Sequence, residues 1–244
     1  MRRGVVSILF FMGFYFLFST APRAGIGDFL RDLQKSMGTS EGPSDSKVIK
    51  GLKEALEIGT GNAVNIVSQV DGYYKNQKIK IPLPSQVKKV EKVLRAIGYG
   101  SELDAFELSM NRAAENAAPK AKDLFLEAIK QMSFQDARKI LKGRENEATL
   151  YLEEKTRDKL TTAFKPIIDR SMSRVGVIEY YRNLDDKLRG IPFAESFRFD
   201  LTQYVSDRSL DGLFLMLAQE ERKIRENPAA RVTELLKEVF GGKK

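Results

Sequence analysis

Side-chain chemistry in this sequence has to come from carboxylates, amides, hydroxyls and amines, because the 244-residue chain contains no Cys, no His and no Trp. Lacking His, it cannot build a Ser-His-Asp triad, an HExxH zinc site or a His-ligated haem. Lacking Cys, it has no disulfide, thiol chemistry or Cys-ligated zinc. Two polar groupings remain. Between Leu103 and Ala117, Asp104, Glu107, Asn111 and Glu115 recur at spacings of three, four and four, which places them on one stripe of a helix. Leu103, Phe106, Met110, Ala113, Ala114 and Ala117 gather in the neighbouring arc. Such a stripe could line a polar cleft or hold a hard cation through oxygen ligands. It could equally face water or pair with Arg residues of an adjacent helix.

The second grouping lies between Asp207 and Glu226. Leu210, Leu213, Phe214, Leu215, Met216 and Leu217 put apolar groups almost all round, the pattern of a central helix. Glu221 falls angularly between Leu210 and Phe214, and Arg225 follows one turn later, in place for an i,i+4 pair. A carboxylate buried there needs a hydrogen-bonded partner or takes a raised pKa, and a raised pKa would suit a general acid. Glu107, Asn111, Glu115, Glu221 and Arg225 are therefore the candidate ligand-binding residues. No catalytic residue, metal ligand or cofactor is assigned.

The elements that position these groups are helical. Val48, Ile49, Leu52 and Leu56 open a helix at Ser46, weakened at Gly59 and Gly61 and ended by Asp71-Gly72. Near residues 78–84, Lys78-Ile79-Lys80-Ile81 alternates before Pro82-Leu83-Pro84, which predicts a short extended segment, a lone strand or an ordered loop on the bundle. Further helices are expected over 85–97 and from Ser101, as N-cap, to Pro119. Ser133 with Asp136 resembles a capping box, and Asn146 could cap a segment reaching Val175, bent at Pro166. A helix follows over 177–188. Asp200 would cap a short helix, Ser206 or Asp207 a second ending at Glu226, and Asn227-Pro228 opens the last. The fold class is all-α, a single bundle of about eight to nine helices.

At the N-terminus, Arg2 and Arg3 precede an apolar run from Val5 to Phe18, followed by small residues through Ala24. This reads as a cleavable signal peptide over residues 1–24, since crossing a bilayer takes about 20 apolar residues. An uncleaved short anchor is the alternative. Residues 25–45 read as a flexible linker, and 46–241 as one helical domain, large enough to bury roughly 70% of its unfolded surface. The net charge of +8 falls to +5 once Arg2, Arg3 and Arg23 are removed. No Lys/Arg block stands out, and basic residues alternate with acidic ones, as in Glu220-Glu221-Arg222-Lys223. Interspersed charge indicates solvated helix faces and no nucleic-acid partner. Weak attraction to anionic lipid headgroups stays open.

Several stretches resemble a known family. Ile79-Lys80-Ile81-Pro82-Leu83-Pro84, Glu107 to Glu115, Leu210-Asp211-Gly212-Leu213-Phe214 and Asn227-Pro228-Ala229-Ala230-Arg231 are similar to the exported bacterial family known as domain of unknown function 4197. The resemblance implies an exported helical protein, without naming an activity. Relatives often carry a lipidated Cys, which this chain lacks. The expected function is a non-enzymatic periplasmic binding or interaction module for a protein or an amphiphilic ligand of the cell envelope, with no integral membrane segment after cleavage. Two alternatives are a carboxylate-based enzyme acting on cell-envelope material, through Glu221, Glu107 or Glu115, and a structural envelope protein.

Overall fold

The computed structural model describes residues 45–174 and 200–226. Among them the ordered elements are α1 (Asp45–Ser68), α2 (Ser85–Ala96), α3 (Gly100–Ala117), a 3-10 turn (Ala118–Lys120), α4 (Ala121–Gln131), α5 (Phe134–Lys142), α6 (Glu147–Arg174) and α7 (Leu201–Glu226). The chain is all-α as expected, but the described residues hold fewer helices than the eight to nine anticipated. One cause is that residues 201–226 form a single helix. Ser206 does not start a new one: its hydroxyl donates to the Thr202 carbonyl, 2.6 Å away. That bond satisfies the buried hydroxyl inside the helix and removes any reason to break there. The signal peptide expected over residues 1–24, the linker up to residue 44 and the helices expected over 177–188 and after Asn227 lie outside the described residues.

Local signals account for most boundaries. The Ser133 hydroxyl accepts from the Asp136 N–H at 3.1 Å, and Asp136 accepts from the Ser133 N–H at 2.9 Å, a complete capping box at the start of α5. Asp200 accepts from the Gln203 N–H at 2.8 Å and caps α7. Pro119 sits in the 3-10 turn where α3 gives way to α4. Ser101, expected as an N-cap, lies inside α3, whose cap residue is Tyr99 and carries no side-chain cap bond. Pro166 is accommodated within the continuous helix α6.

The buried apolar residues form one contiguous cluster running from Val48 to Leu217. α7 is central: it packs on α1, α3 and α6, and Leu210, Leu213, Phe214, Met216 and Leu217 are all buried. Leu215 alone of its apolar run is exposed. The α3 arc from Leu103 to Ala117 faces the same core, and its alanines let α6 approach closely. Phe125 and Phe214 meet edge to face at 5.9 Å.

Residues 71–84 link α1 to α2 through turns and extended backbone, with no strand among the described residues. The link is nonetheless core: Tyr73, Ile79, Ile81 and Leu83 are buried. It begins with a reversal in which Asp71 takes φ 70°, unusual for a residue with a side chain. The next residue has no room for one. A Cβ on Gly72 would lie 2.5 Å from the Ile66 carbonyl oxygen, 2.8 Å from that of Val67 and 2.9 Å from that of Gln69. Gly61, by contrast, is inside α1 with open space around the Cβ position.

Two alanine substitutions should therefore act in opposite directions. Gly72→Ala should lower stability by about 1–3 kcal/mol through overpacking against fixed backbone. Gly61→Ala should raise it by roughly 0.5–1 kcal/mol through helix propensity. Urea unfolding of both variants measures the contrast, and equal midpoints would contradict the described reversal.

Candidate functional site

The α3 stripe faces the 71–84 link and holds it at successive points. Glu115 Oε1 accepts from the Tyr73 N–H at 3.1 Å and the Tyr74 N–H at 3.2 Å, while Oε2 pairs with Arg112 at 2.6 Å. Arg112 also reaches Asp71 at 2.6 Å, and Asp71 binds Lys75 at 2.7 Å. One turn earlier, the Asn111 amide meets Ile81 as a neighbouring strand would. Its Oδ1 accepts from the Ile81 N–H, and its Nδ2 donates to the Ile81 carbonyl, both at 2.8 Å. The same Nδ2 donates to the Glu107 carbonyl at 2.8 Å. Glu107 in turn pairs with Lys80 at 2.6 Å, and Asp104 with Arg95 of α2 at 2.8 Å.

Neighbouring groups complete this clamp. The Tyr73 hydroxyl donates to the Ser209 carbonyl at 2.6 Å, and burial, then the Glu115 charge, pushes its pKa far above the ordinary tyrosine value. Tyr204 donates to the Pro82 carbonyl at 3.0 Å. Lys80 lies 4.7 Å from the centre of the Tyr74 ring. Hydrogen bonding to Glu107 raises the Lys80 pKa, and bonds from Lys75 and then Arg112 lower that of Asp71.

Glu221 and Arg225 work elsewhere. Glu221 Oε1 accepts from the Ala148 N–H at 3.1 Å, and Oε2 accepts from the Thr149 N–H at 2.9 Å and the Thr149 hydroxyl at 2.7 Å. These are free N–H groups in the first turn of α6, so a carboxylate from α7 caps α6 across the core. Arg225 binds Glu221 Oε1 through Nε at 3.0 Å and a terminal nitrogen at 2.8 Å. It also donates to the Ile140 carbonyl near the end of α5 at 3.3 Å. The expected i,i+4 pair is present and spans two helix ends. The gap beside Glu221, lined by Leu56, Gly59, Leu152 and Ile224, is about 10 Å³, room for about one water molecule and too small for a substrate.

The structure thus divides the five sequence candidates into two sets, Glu107, Asn111 and Glu115 on the link and Glu221 with Arg225 at the α5–α6 junction. No hydrogen bond or ion pair joins the sets among the described residues, nor is any cluster of three or more acidic groups placed to hold a metal there. A polar cleft of about 260 Å³ lies between α4, α5 and α6, bordered by Gln131, Asp136, Tyr151, Lys155 and Lys159. None of the candidates lines it.

One reading of the sequence needs correction. A basic block does stand out: residues 75–97 carry seven Lys or Arg and one acidic residue, Glu91. Prolines and aliphatic residues between the charges obscure it in a linear scan. Within it Arg95 binds Glu91 and Asp104, Lys75 binds Asp71 and Lys80 binds Glu107. Lys78, Lys88, Lys89 and Lys92 are exposed and make no ion pair among the described residues. Beside the last three on α2, Val93 and Ile97 are 55% and 62% exposed. The sequence signal for this face was the Lys88-Lys89 and Lys92-Val93 pairing on a helix whose other side carries Val87 and Leu94.

Fold and geometry together define a helical bundle whose inward carboxylates secure backbone and whose 75–97 stretch carries seven basic residues against one acidic. The family model described as "Protein of unknown function (DUF4197)" matches residues 42–241, and the chain belongs to that family. No curated protein and no solved structure matches it.

Glu221→Gln should test the capping role directly. A glutamine amide cannot accept from both donor sets, so its NH2 group would face other donors and the charge pairing between positions 221 and 225 would be lost. Breaking one side of a buried pair costs about 3–5 kcal/mol, and a loss near the lower figure is expected because Arg225 is partly exposed. Chemical denaturation measures it; a change below about 0.5 kcal/mol, typical of surface substitutions, would contradict the cap.

Acid should act through other carboxylates. Hydrogen bonds from Arg95, Ser133 and Arg144 hold Asp104, Asp136 and Glu147, respectively, below their ordinary range. A folded pKa below the unfolded one gives stability that is complete above the unfolded value and lost as pH falls through the folded one. The melting temperature should stay level from about pH 7 to 5 and drop below about pH 4. A profile unchanged down to pH 3 would show these bonds to be without net effect.

Proposed function

We propose that this chain is an exported, non-catalytic interaction module of the cell envelope, a bundle that presents α2 to a partner. The observation that carries the proposal is a contrast in how charge is used. Glu107, Glu115 and Glu221 each hold a fixed donor of the fold, so using any of them as an acid or base would disturb its own support. The α2 face instead leaves Lys88, Lys89, Lys92, Val93 and Ile97 directed outward. α2 packs chiefly on α3, which gives it backing on one side and leaves the other for binding. Val93 and Ile97, four residues apart, bring exposed aliphatic surface beside three lysines that make no ion pair among the described residues. Export is supported by Arg2, Arg3 and the apolar run that ends at Phe18. No helix among the described residues is long and apolar enough to cross a membrane.

The test combines location with contact. In a Gram-negative host, the protein should be recovered from the periplasm with its N-terminus at Pro22 or Gly25. A photo-crosslinking amino acid at Ile97 should form adducts in those cells, and the same group at Lys122 on α4 should form few. Retention in the cytoplasm with Met1 intact, or equal labelling from both positions, would overturn the reading.

A further inference from the structure

We infer that α2 is an interfacial helix, which lays its outward face on a bilayer surface carrying anionic lipid headgroups. This rests on the reading of α2 as the interaction surface and names the partner. Three features favour lipid over protein. First, the block from Lys75 to Ile97 concentrates basic charge, and the lysines left without an ion pair among the described residues include Lys88, Lys89 and Lys92 of α2. Second, the centres of protein interfaces are enriched in aromatic residues and depleted in lysine. The outward face of α2 is the reverse, since the helix contains no aromatic residue.

Third, the angular order suits a membrane boundary. On the wheel, Lys88 and Lys92 lead into Ala96 and Lys89, and these into Val93 and Ile97, before the buried side at Val87 and Leu94. Lysine stems can lie along acyl chains with their ammonium groups among the phosphates, while Val93 and Ile97 enter just below. Twelve residues span about 18 Å, enough to lie in the interface and too short to cross it. Because α3 already holds the helix folded, docking need not supply the cost of folding it.

The absence of Cys makes a site-specific probe simple. Val93→Cys in the full chain, labelled with an environment-sensitive nitrobenzoxadiazole dye, reports burial of α2. Leu215→Cys, on an exposed apolar position of α7, is the control for burial of an exposed apolar site away from α2. With vesicles of phosphatidylcholine and phosphatidylglycerol, the dye at position 93 should brighten and shift to the blue, and the dye at 215 should not. Each lysine near an anionic surface contributes about fivefold in affinity, so Lys88→Gln, Lys89→Gln and Lys92→Gln together should weaken the response on the order of 100-fold. Added salt should act in the same direction.

An equal response to phosphatidylcholine alone, or one unaffected by the three substitutions, would overturn the proposal. Silence at position 93 with both vesicles, while Ile97 crosslinks a protein in cells, would replace the bilayer by a protein partner and leave the interaction module standing. Silence in both experiments would remove both readings.

Discussion

A buried backbone group without a hydrogen bond costs more than most side-chain contacts return, and this molecule meets that constraint with side chains from α3 and α7. The 71–84 link leaves helical structure yet carries Tyr73, Ile79, Ile81 and Leu83 into the core. Glu115 accepts the N–H groups at its start, and Asn111 supplies both halves of a strand-like pairing at Ile81. The start of α6 poses the same problem, and Glu221 meets it. The apolar core can close because these polar atoms enter it already paired. Buried hydroxyls follow the rule locally: Thr60, Thr156 and Ser209 donate to carbonyls of the preceding turn.

Periodicity made the helices legible. The α3 arc, the apolar surround of α7, the Ser133 box and the Asp71-Gly72 stop all correspond to observed features. Residues with two plausible uses were harder to read. Ser101 and Ser206 have the right type for N-caps, but the Ser206 hydroxyl donates to its own helix and the exposed Ser101 hydroxyl to the neighbouring Glu102 carboxylate. The same ambiguity governed the site. The α3 stripe and the Glu221–Arg225 spacing were visible, whereas their acceptor role toward distant backbone was not. Backbone N–H groups have no sequence signature, so a carboxylate that caps a remote helix looks the same as one that awaits a ligand.

Charge is sorted by depth as well as by sign. The buried carboxylates Glu115 and Glu221 take backbone donors and one Arg each, while their surroundings exclude water. Pairs such as Arg95–Asp104 and Lys159–Glu127 lie in solvent and add little on their own. The basic excess collects on the 75–97 stretch, which the α3 clamp fastens to the bundle. The same element therefore positions α2 and anchors the link leading into it. Loosening Asn111 or Glu115 would displace the outer face without touching any residue on it.

The cap on α6 also has a bearing on the order of assembly. Glu221 lies 73 residues beyond Ala148 and 72 beyond Thr149, so during synthesis the first turn of α6 exists well before its acceptor does. Until α7 docks, those N–H groups must stay hydrated and cannot be carried into an apolar interior. The amino-terminal helices can form early as fluctuating, wet structure, but final dehydration of the core waits for the last described helix. Docking of α7 also closes the longer spans from Asn62 to Glu220 and from Tyr73 to Ser209, so it joins the ends of the described fold in one step.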